Sequence, residues 1–328
     1  MTTPEISVIV LNYNGRRWLG PCLDAVAAQT GAPAFETIVV DNASADASAA
    51  YVREAFPDVR VIETGSNLGF AAGNNAGARI AAGRLLAFLN NDTVAAPEWL
   101  AHLSRALDAR PSFALATSRI VQMDDPARVD SAGDGYLHAG GAYKRGHGAA
   151  AADYTQPAEV FGACGAAFMI RREIFEALGG FDESFFMVHE DVDLSYRARL
   201  LGFNCWYAAD AIVRHAGSAT LGRASPKAVF YGQRNLEWTW IKNTPSPLIW
   251  RSLPAHIVYS IAGVAHYART GRLLPALRGK LAAVAGLPAA LRARRRIQSS
   301  ARPTRPPEDL MARGWLALKR SEKRAGRR

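Results

Sequence analysis

The chain opens on a short β-branched run, Ile6-Ser7-Val8-Ile9-Val10-Leu11, followed by Asn-Tyr-Asn-Gly and an Ala-rich helical stretch from about Arg17 to Gln29. The same strand–loop–helix unit recurs. Thr37-Ile38-Val39-Val40 leads to a helix over Ala45 to Phe56, and Val59-Arg60-Val61-Ile62 to one over Gly69 to Ala82. Leu85-Leu86-Ala87-Phe88-Leu89 leads to a helix over about Pro97 to Ala109. Strands alternating with helices predict a parallel, doubly wound α/β sheet. Met123 to Pro157 is rich in Gly, Ala, Asp and His, with little periodicity, and reads as a long loop or irregular insert, which in a compact domain is often functional. Regular structure resumes with Ala166–Ile170, a helix from Arg172 to Leu178, a Gly179-Gly180 break and a helix from about Glu190 to Leu201. Asn204 to His215 reads as strand, turn and strand.

Beyond Lys242 the pattern changes. Ser252 to Ala268 is 17 residues without Asp, Glu, Lys or Arg, short of the ~20 apolar residues a spanning helix needs, so an in-plane or re-entrant helix is expected. Leu281 to Leu291 is a second apolar stretch that runs into Arg292-Ala293-Arg294-Arg295-Arg296. Apolar faces beside arginine clusters mark helices that lie in a lipid interface. Charge sharpens this boundary. The net +10 divides into 20 Lys+Arg against 26 Asp+Glu over residues 1–240, and 19 against 3 over 241–328. A +16 segment can meet an anionic membrane, a nucleic acid or another acidic partner. Cys22, Cys164 and Cys205 have no paired or CxxC spacing, so neither a disulfide framework nor a zinc site is suggested. The N-terminus lacks a basic segment followed by an apolar stretch, and an intracellular protein is expected.

Three acidic motifs fall at strand ends or helix starts, where an open α/β sheet binds ligands. Asp41 follows an apolar strand. Its carboxylate can accept the N3–H of a uracil or thymine ring, and it can equally cap the next helix. Asn90-Asn91-Asp92 ends the most apolar strand. A divalent cation held by one carboxylate and a substrate diphosphate suits that place, and so does a turn before Pro97-Glu98. Glu190 and Asp191 open a helix. Either carboxylate can take the proton of an attacking hydroxyl, while plain helix-start chemistry stands beside that reading. Asp193 and Arg197, an i,i+4 pair, read as structural. Gly69, Gly73 and Gly77 recur every fourth residue without a Gly-x-x-x-x-Gly-Lys-Ser/Thr loop, which favours a helix packed closely on a sheet. His215, at a strand end, serves either as a structural hydrogen-bonding residue or as a ligand.

Val8–Gly15, Val40-Asp41-Asn42-Ala43-Ser44, Asn67-Leu68-Gly69-Phe70 with Gly73-Asn74, Leu89-Asn90-Asn91-Asp92, Gly180-Phe181-Asp182-Glu183, and Glu190-Asp191-x-Asp193-Leu194 with Arg197 and Gly202 resemble, in order and spacing, the family 2 glycosyltransferases. The resemblance covers about residues 5–240. It implies a GT-A fold, a nucleoside-diphosphate sugar donor (dTDP- or UDP-linked), a divalent metal (Mg²⁺ or Mn²⁺) and inversion by direct displacement. Carried over by position, it places Asp41 on the base, Asp92 and His215 on the metal, and Asp191 as general base with Glu190 beside it. Leu11, Asn12, Tyr13, Asn67, Gly73, Asn90 and Asn91 would line the sugar nucleotide. Asn90 stands where an Asp-x-Asp motif has its first acid, a variant of the rhamnosyltransferase-like branch. Tyr231-Gly232-Gln233-Arg234-Asn235 resembles that branch's Arg-Asn segment, whereas the Gln-x-x-Arg-Trp of processive synthases is missing. The expectation is a catalytic domain over 1–242 and a basic amphipathic helical tail over 243–328 resting on the cytoplasmic face of the inner (plasma) membrane. The enzyme would transfer a single sugar, rhamnose or a related one, to a glycan or polyprenyl-diphosphate-linked acceptor in cell-surface polysaccharide biosynthesis. A nucleic-acid-binding protein is disfavoured, because the tail pairs arginine with Leu, Ala and Val rather than with stacking aromatics. A non-catalytic sugar-nucleotide module is disfavoured by the acids kept at the expected positions.

Overall fold

A computed structural model describes residues 3–217 and 225–314. Its elements are β1 (Ile6–Asn12), α1 (Arg16–Ala27), β2 (Phe35–Asp41), α2 (Ser48–Ala55), β3 (Arg60–Glu63), α3 (Gly69–Ile80), β4 (Leu85–Asn90), β5 (Thr93–Ala95), α4 (Trp99–Asp108), β6 (Phe113–Gln122), β7 (Val129–Ser131), β8 (Asp134–Leu137), β9 (Ala142–Lys144), β10 (Ala158–Val160), β11 (Ala167–Arg171), α5 (Arg172–Ala177), α6 (Glu190–Leu200), β12 (Asn204–His215), α7 (Pro226–Asn243), α8 (Ser246–Arg269), α9 (Leu273–Ala285), α10 (Leu287–Ser300) and β13 (Met311–Ala312). The main sheet runs β10-β12-β6-β11-β4-β1-β2-β3, with β5 against β12 and β7 against β6. β3, β2, β1 and β4 are parallel neighbours, as are β6 and β12, while β11 runs antiparallel between β4 and β6.

β1, β4 and β11 are largely apolar because both faces of the sheet are covered there. Val8, Val10, Ala87 and Leu89 pack with Leu19 and Leu23 of α1 and Trp99 and Leu103 of α4. The alternate residues Ile9, Ile38, Val40 and Phe88 pack on the other side with Ala71 and Ala78 of α3 and with Phe175 and Phe181. The four-residue glycine repeat is a packing device. A Cβ at Gly73 would stand 2.5 Å from Leu11 Cδ1, and one at Gly77 would stand 2.6 Å from Ile9 Cγ2, so α3 lies directly on the strands.

The sequence pattern misleads in two places. The stretch 123–157 is not structureless: it carries β7, β8, β9 and a short 3₁₀ turn at Ala151–Tyr154. These strands are three or four residues long. β8 is completed by β13 from the far end of the described chain (Met311 opposite Tyr136), so no local periodicity announces them. Asn204 to His215 forms one strand rather than strand, turn and strand. Opposite the consecutive residues Ser118 and Arg119 stand Ala208 and Ile212, so three residues bulge out and the strand bends without ending.

The segment beyond Lys242 is helical and packs on the sheet domain. Glu237 of α7 receives His256 Nε2 (2.8 Å), Ser260 Oγ (3.1 Å) and Lys280 Nζ, which joins α7, α8 and α9. His256 stacks on Trp240 at 3.9 Å. Arg294 of α10 donates to the carbonyls of Ile241 and Thr244, both at 2.6 Å. Tyr136, Phe161, Val192, Tyr196, Leu200, Leu248 and Met311 form a shared core between the small sheet, α6 and this segment. Residues 315–328 of the expected tail lie outside the described residues.

Candidate active site

The carboxyl ends of β1, β2 and β4 converge, and asparagines tie their loops together. Asn91 Nδ2 donates to Asn12 Oδ1 (2.6 Å), and Asn12 Nδ2 to Ser44 Oγ (3.0 Å). Asn42 Nδ2 donates to Asn67 Oδ1 (3.1 Å) and Asn42 Oδ1 accepts from Leu68 N (2.9 Å). A cavity of about 740 Å³ opens at this edge, within the range of small-molecule sites. Leu11, Tyr13, Asn67, Asn90, Asn91, Asp92 and His215 line it. Asn12, Asp41, Gly73, Glu190 and Asp191 are not among the residues that line it. Asn12 is fully buried in the asparagine network, and Gly73 lies against Leu11. Asp41 is 2% exposed and accepts from Ser44 N at 3.2 Å. Asp41 does not cap α2, whose preceding residue Ala47 makes no side-chain cap.

The bend in β12 places its last residues beside β5, with His215 opposite Thr93 and therefore next to Asp92. His215 Nε2 stands 3.2 Å from Asp92 Oδ1, and Nδ1 stands 2.9 Å from Asp130 Oδ2. Asp130, on β7, also receives Lys144 Nζ at 2.6 Å. Burial disfavours the Asp130 carboxylate, but His147, His215 and Lys144 outweigh it and hold the group well below the usual carboxylate range. Burial likewise opposes a charged His215, and the hydrogen bonds to Asp130 and Asp92 reverse that and raise it. A carboxylate on one imidazole nitrogen fixes the ring and aims the other nitrogen, the arrangement found behind metal-binding histidines. Asp92 Oδ1 and His215 Nε2 are close enough to share one cation, so the donor set fits a divalent metal.

Glu190 and Asp191 begin α6, just past Val188 and His189 of the cavity wall. Asp191 Oδ2 accepts from Gly165 N (2.8 Å) and Oδ1 from Val192 N (2.8 Å). Burial raises its pKa against those two N–H bonds, which moves it toward the range useful to a base at neutral pH. Glu190 is driven well above its ordinary value by burial and by Asp191, and its Oε2 is buried without a hydrogen-bond partner among the described residues. Asp193 and Arg197 are structural, as expected: the carboxylate, fully buried, takes Arg197 Nε (2.7 Å), Lys242 Nζ (2.9 Å) and Asn243 Nδ2 (2.8 Å).

The segment before α6 is strained. Phe186, Val188 and His189 have φ of 63°, 68° and 77°, which non-glycine residues seldom adopt. Asn235 of α7 holds it: its Nδ2 lies 2.7–3.0 Å from the carbonyls of Phe185, Met187 and Val188. Arg234 donates to the carbonyls of Ser184 (2.6 Å) and Phe185 (2.9 Å). The Arg-Asn pair is thus a brace behind the carboxylates. Four residues outside the sequence expectation also belong here: Asp130, Lys144, His189 and Gln233. Asp130 and Lys144 come from the stretch that looked irregular, and Gln233 is one polar position in a helix. His189 carries a signal in hindsight, since it directly precedes Glu190-Asp191.

Comparisons with known proteins bear on the family and the fold. Residues 7–179 match the family described as Glycosyl transferase family 2. The O-antigen biosynthesis protein RfbC of Myxococcus xanthus is 29% identical over 245 residues, 70% of this chain and 19% of that protein. An N-acetylglucosaminyl-diphospho-decaprenol L-rhamnosyltransferase of Mycobacterium tuberculosis is 28% identical over 251 residues, 67% of this chain and 79% of that one. The chain spans a quarter or less of the length of the first curated relatives it matches. Among solved structures, the mannosyltransferase PcManGT of Pyrobaculum calidifontis, in complex with GDP-Man and Mn²⁺, superposes with a TM-score of 0.55 at 20% identity, covering 92% of this chain and 85% of that one. The architecture is therefore the expected GT-A α/β fold, and the chain belongs to glycosyl transferase family 2.

Proposed function

We propose that the chain is an inverting glycosyltransferase that moves a single sugar from a nucleoside-diphosphate sugar to a glycan or polyprenyl-diphosphate-linked acceptor in cell-surface polysaccharide biosynthesis. The observation that carries this reading is the Asp92–His215–Asp130 array at the strand-end cavity, with Asp191 two residues after His189 of the cavity wall. The donor lies across the ends of β1, β2 and β4. Asp191 takes the acceptor hydroxyl's proton as that oxygen attacks the anomeric carbon, and the sugar–phosphate bond breaks to release the nucleoside diphosphate. Asp92 and His215 would hold a divalent cation, which when bound would supply positive charge against the departing diphosphate. An imidazole among the donors favours Mn²⁺ over Mg²⁺, because Mg²⁺ prefers an all-oxygen octahedron. The rhamnosyl relative supports rhamnose or a related sugar; the proposed donor is a dTDP- or UDP-sugar.

The cytoplasmic membrane surface is the proposed place of action. No single helix among the described residues is long and apolar enough to cross a membrane. What supports peripheral docking is the outer face of α8 and α9, where Trp250, Ile257, Val258, Ile261, Leu274, Leu281 and Val284 are exposed, and α10 follows with Arg292, Arg295 and Arg296 exposed. Apolar side chains of this kind enter the headgroup region while arginines meet anionic lipid, each worth ~1 kcal/mol near the surface. Two measurements test the reading. A panel of dTDP-, UDP- and GDP-sugars should raise the melting temperature in the presence of Mn²⁺ for at least one donor; no shift with any donor would refute it. Sedimentation with anionic liposomes should carry down the full chain but not a Trp250→Glu, Leu281→Glu variant, and equal co-sedimentation of the two would refute the docking.

A further inference from the structure

The strand-end residues occupy one half of the catalytic cavity. The other half is built by α7 and α8, and there Gln233, Tyr259 and Tyr267 line the wall. All three lie beyond residue 179, where the family match ends. Gln233 is 7% exposed, and its carboxamide oxygen is buried without a hydrogen-bond partner among the described residues. An orphaned buried acceptor is a standing cost to the folded chain, and native proteins rarely keep one without a reason. Nothing crowds it from α8, where the facing position is Gly263: a Cβ there would stand 3.7 Å from the Gln233 amide atoms. A second unpartnered group lines the same cavity. His189 Nδ1 is buried without a partner among the described residues, and burial pushes the ring down to about 4, so it is neutral at physiological pH.

A carboxamide oxygen attracts O–H donors and repels phosphate oxygens. Tyrosine rings offer flat apolar faces with a polar edge. A ligand that brings hydroxyl donors on one edge and C–H groups on its faces is a pyranose ring. His189 directly precedes Glu190 and Asp191, so this half of the cavity adjoins the carboxylates that would receive the acceptor's proton. We infer that Gln233, with Tyr259 and Tyr267 of α8, forms the subsite for the acceptor's terminal sugar, Gln233 accepting a sugar hydroxyl and the tyrosines covering the ring. The inference rests on the transferase reading above and extends it: acceptor choice is set by the segment after the matched family region, and α8 serves the cavity on one side while exposing Ile257, Val258 and Ile261 on the other.

The test uses the full chain, the sugar nucleotide selected by the donor panel, and a short-chain lipid-diphosphate-linked N-acetylglucosamine as acceptor probe. Gln233→Met keeps the volume and removes the polar atoms. Its KM for the acceptor should rise about 5- to 10-fold, the size of one lost hydrogen bond. Its affinity for UDP or dTDP with Mn²⁺, measured by calorimetry, should stay within about twofold of wild type. Its melting temperature should equal or exceed that of wild type, since an unsatisfied buried carbonyl has gone. Tyr267→Ala should raise the acceptor KM by a similar factor. An unchanged acceptor KM in both variants would overturn the subsite, and so would a lower melting temperature in Gln233→Met, which would show the carboxamide to be a structural bond. A wild-type chain that binds no sugar nucleotide would overturn the transferase reading and the subsite with it.

Discussion

Asp193 is fully buried two residues after the proposed base, and it is the point where α7 is fastened to α6. Replacing it with Asn keeps the shape and removes the charge. Breaking a buried ion pair by deleting one partner typically costs 3–5 kcal/mol, because the other charge is left uncompensated. Here the loss is cushioned. Lys242 keeps Asp182 at 2.5 Å, and Arg197 keeps the carbonyls of Leu178 (2.7 Å) and Gly180 (3.0 Å). The expected cost is therefore at the low end, about 3 kcal/mol, against a total stability on the order of 5–15 kcal/mol. The pH dependence has a definite sign. Burial works against the Asp193 carboxylate, but Lys242 and Arg197 outweigh it and hold its folded pKa well below the unfolded value. The stabilisation is thus complete above the unfolded pKa of about 3.9 and is lost as pH falls through the depressed folded value. Urea unfolding at pH 7 and pH 4.5, read by tryptophan fluorescence, should show the variant displaced to a lower midpoint with an unchanged slope at both. As pH is lowered below about 4, the gap to wild type should shrink. A displacement under about 1 kcal/mol at pH 7 would refute the reasoning.

Other consequences follow from the same geometry. Asp130→Asn should weaken Mn²⁺ binding roughly 10- to 100-fold by calorimetry, the usual effect of removing the carboxylate behind a ligating histidine. His215→Ala should weaken it at least as much, and unchanged affinity in either would show that Asp92 holds the metal without them. Asn235→Ala frees three carbonyls and the left-handed segment they anchor. It should cost about 2–4 kcal/mol by urea unfolding and lower kcat, and a fall of less than 1 kcal/mol would refute the brace.

The β/α alternation was legible because each element carries its own period: the two faces of β1 and β4 bury alternate residues, and α3 displays its glycines every fourth position. The strand-end positions of Asn90, Asn91 and Asp92 followed from the same logic. Their company did not. Asp130 reaches His215, and Lys144 reaches Asp130, through strands three residues long, one of them in a small sheet closed by β13, and pairing over such distances leaves no local pattern. The residue pattern placed His215 at a strand end, and only the family resemblance put it with Asp92; in the structure a three-residue bulge in β12 brings the two together. The charge step at residue 240 falls near the C-terminal end of α7. It gave no hint that α8 walls the cavity, since Tyr259 and Tyr267 read in sequence as part of an apolar run.

Sugar transfer driven by Asp191 is tested by measuring nucleoside-diphosphate release and acceptor glycosylation together, for wild type and Asp191→Asn, with Mn²⁺ and with EDTA. Wild type should show Mn²⁺-dependent transfer with inverted anomeric configuration, and Asp191→Asn a rate at least about 100-fold lower with donor affinity kept. Transfer by the variant at the wild-type rate, or a product with retained configuration, would contradict it.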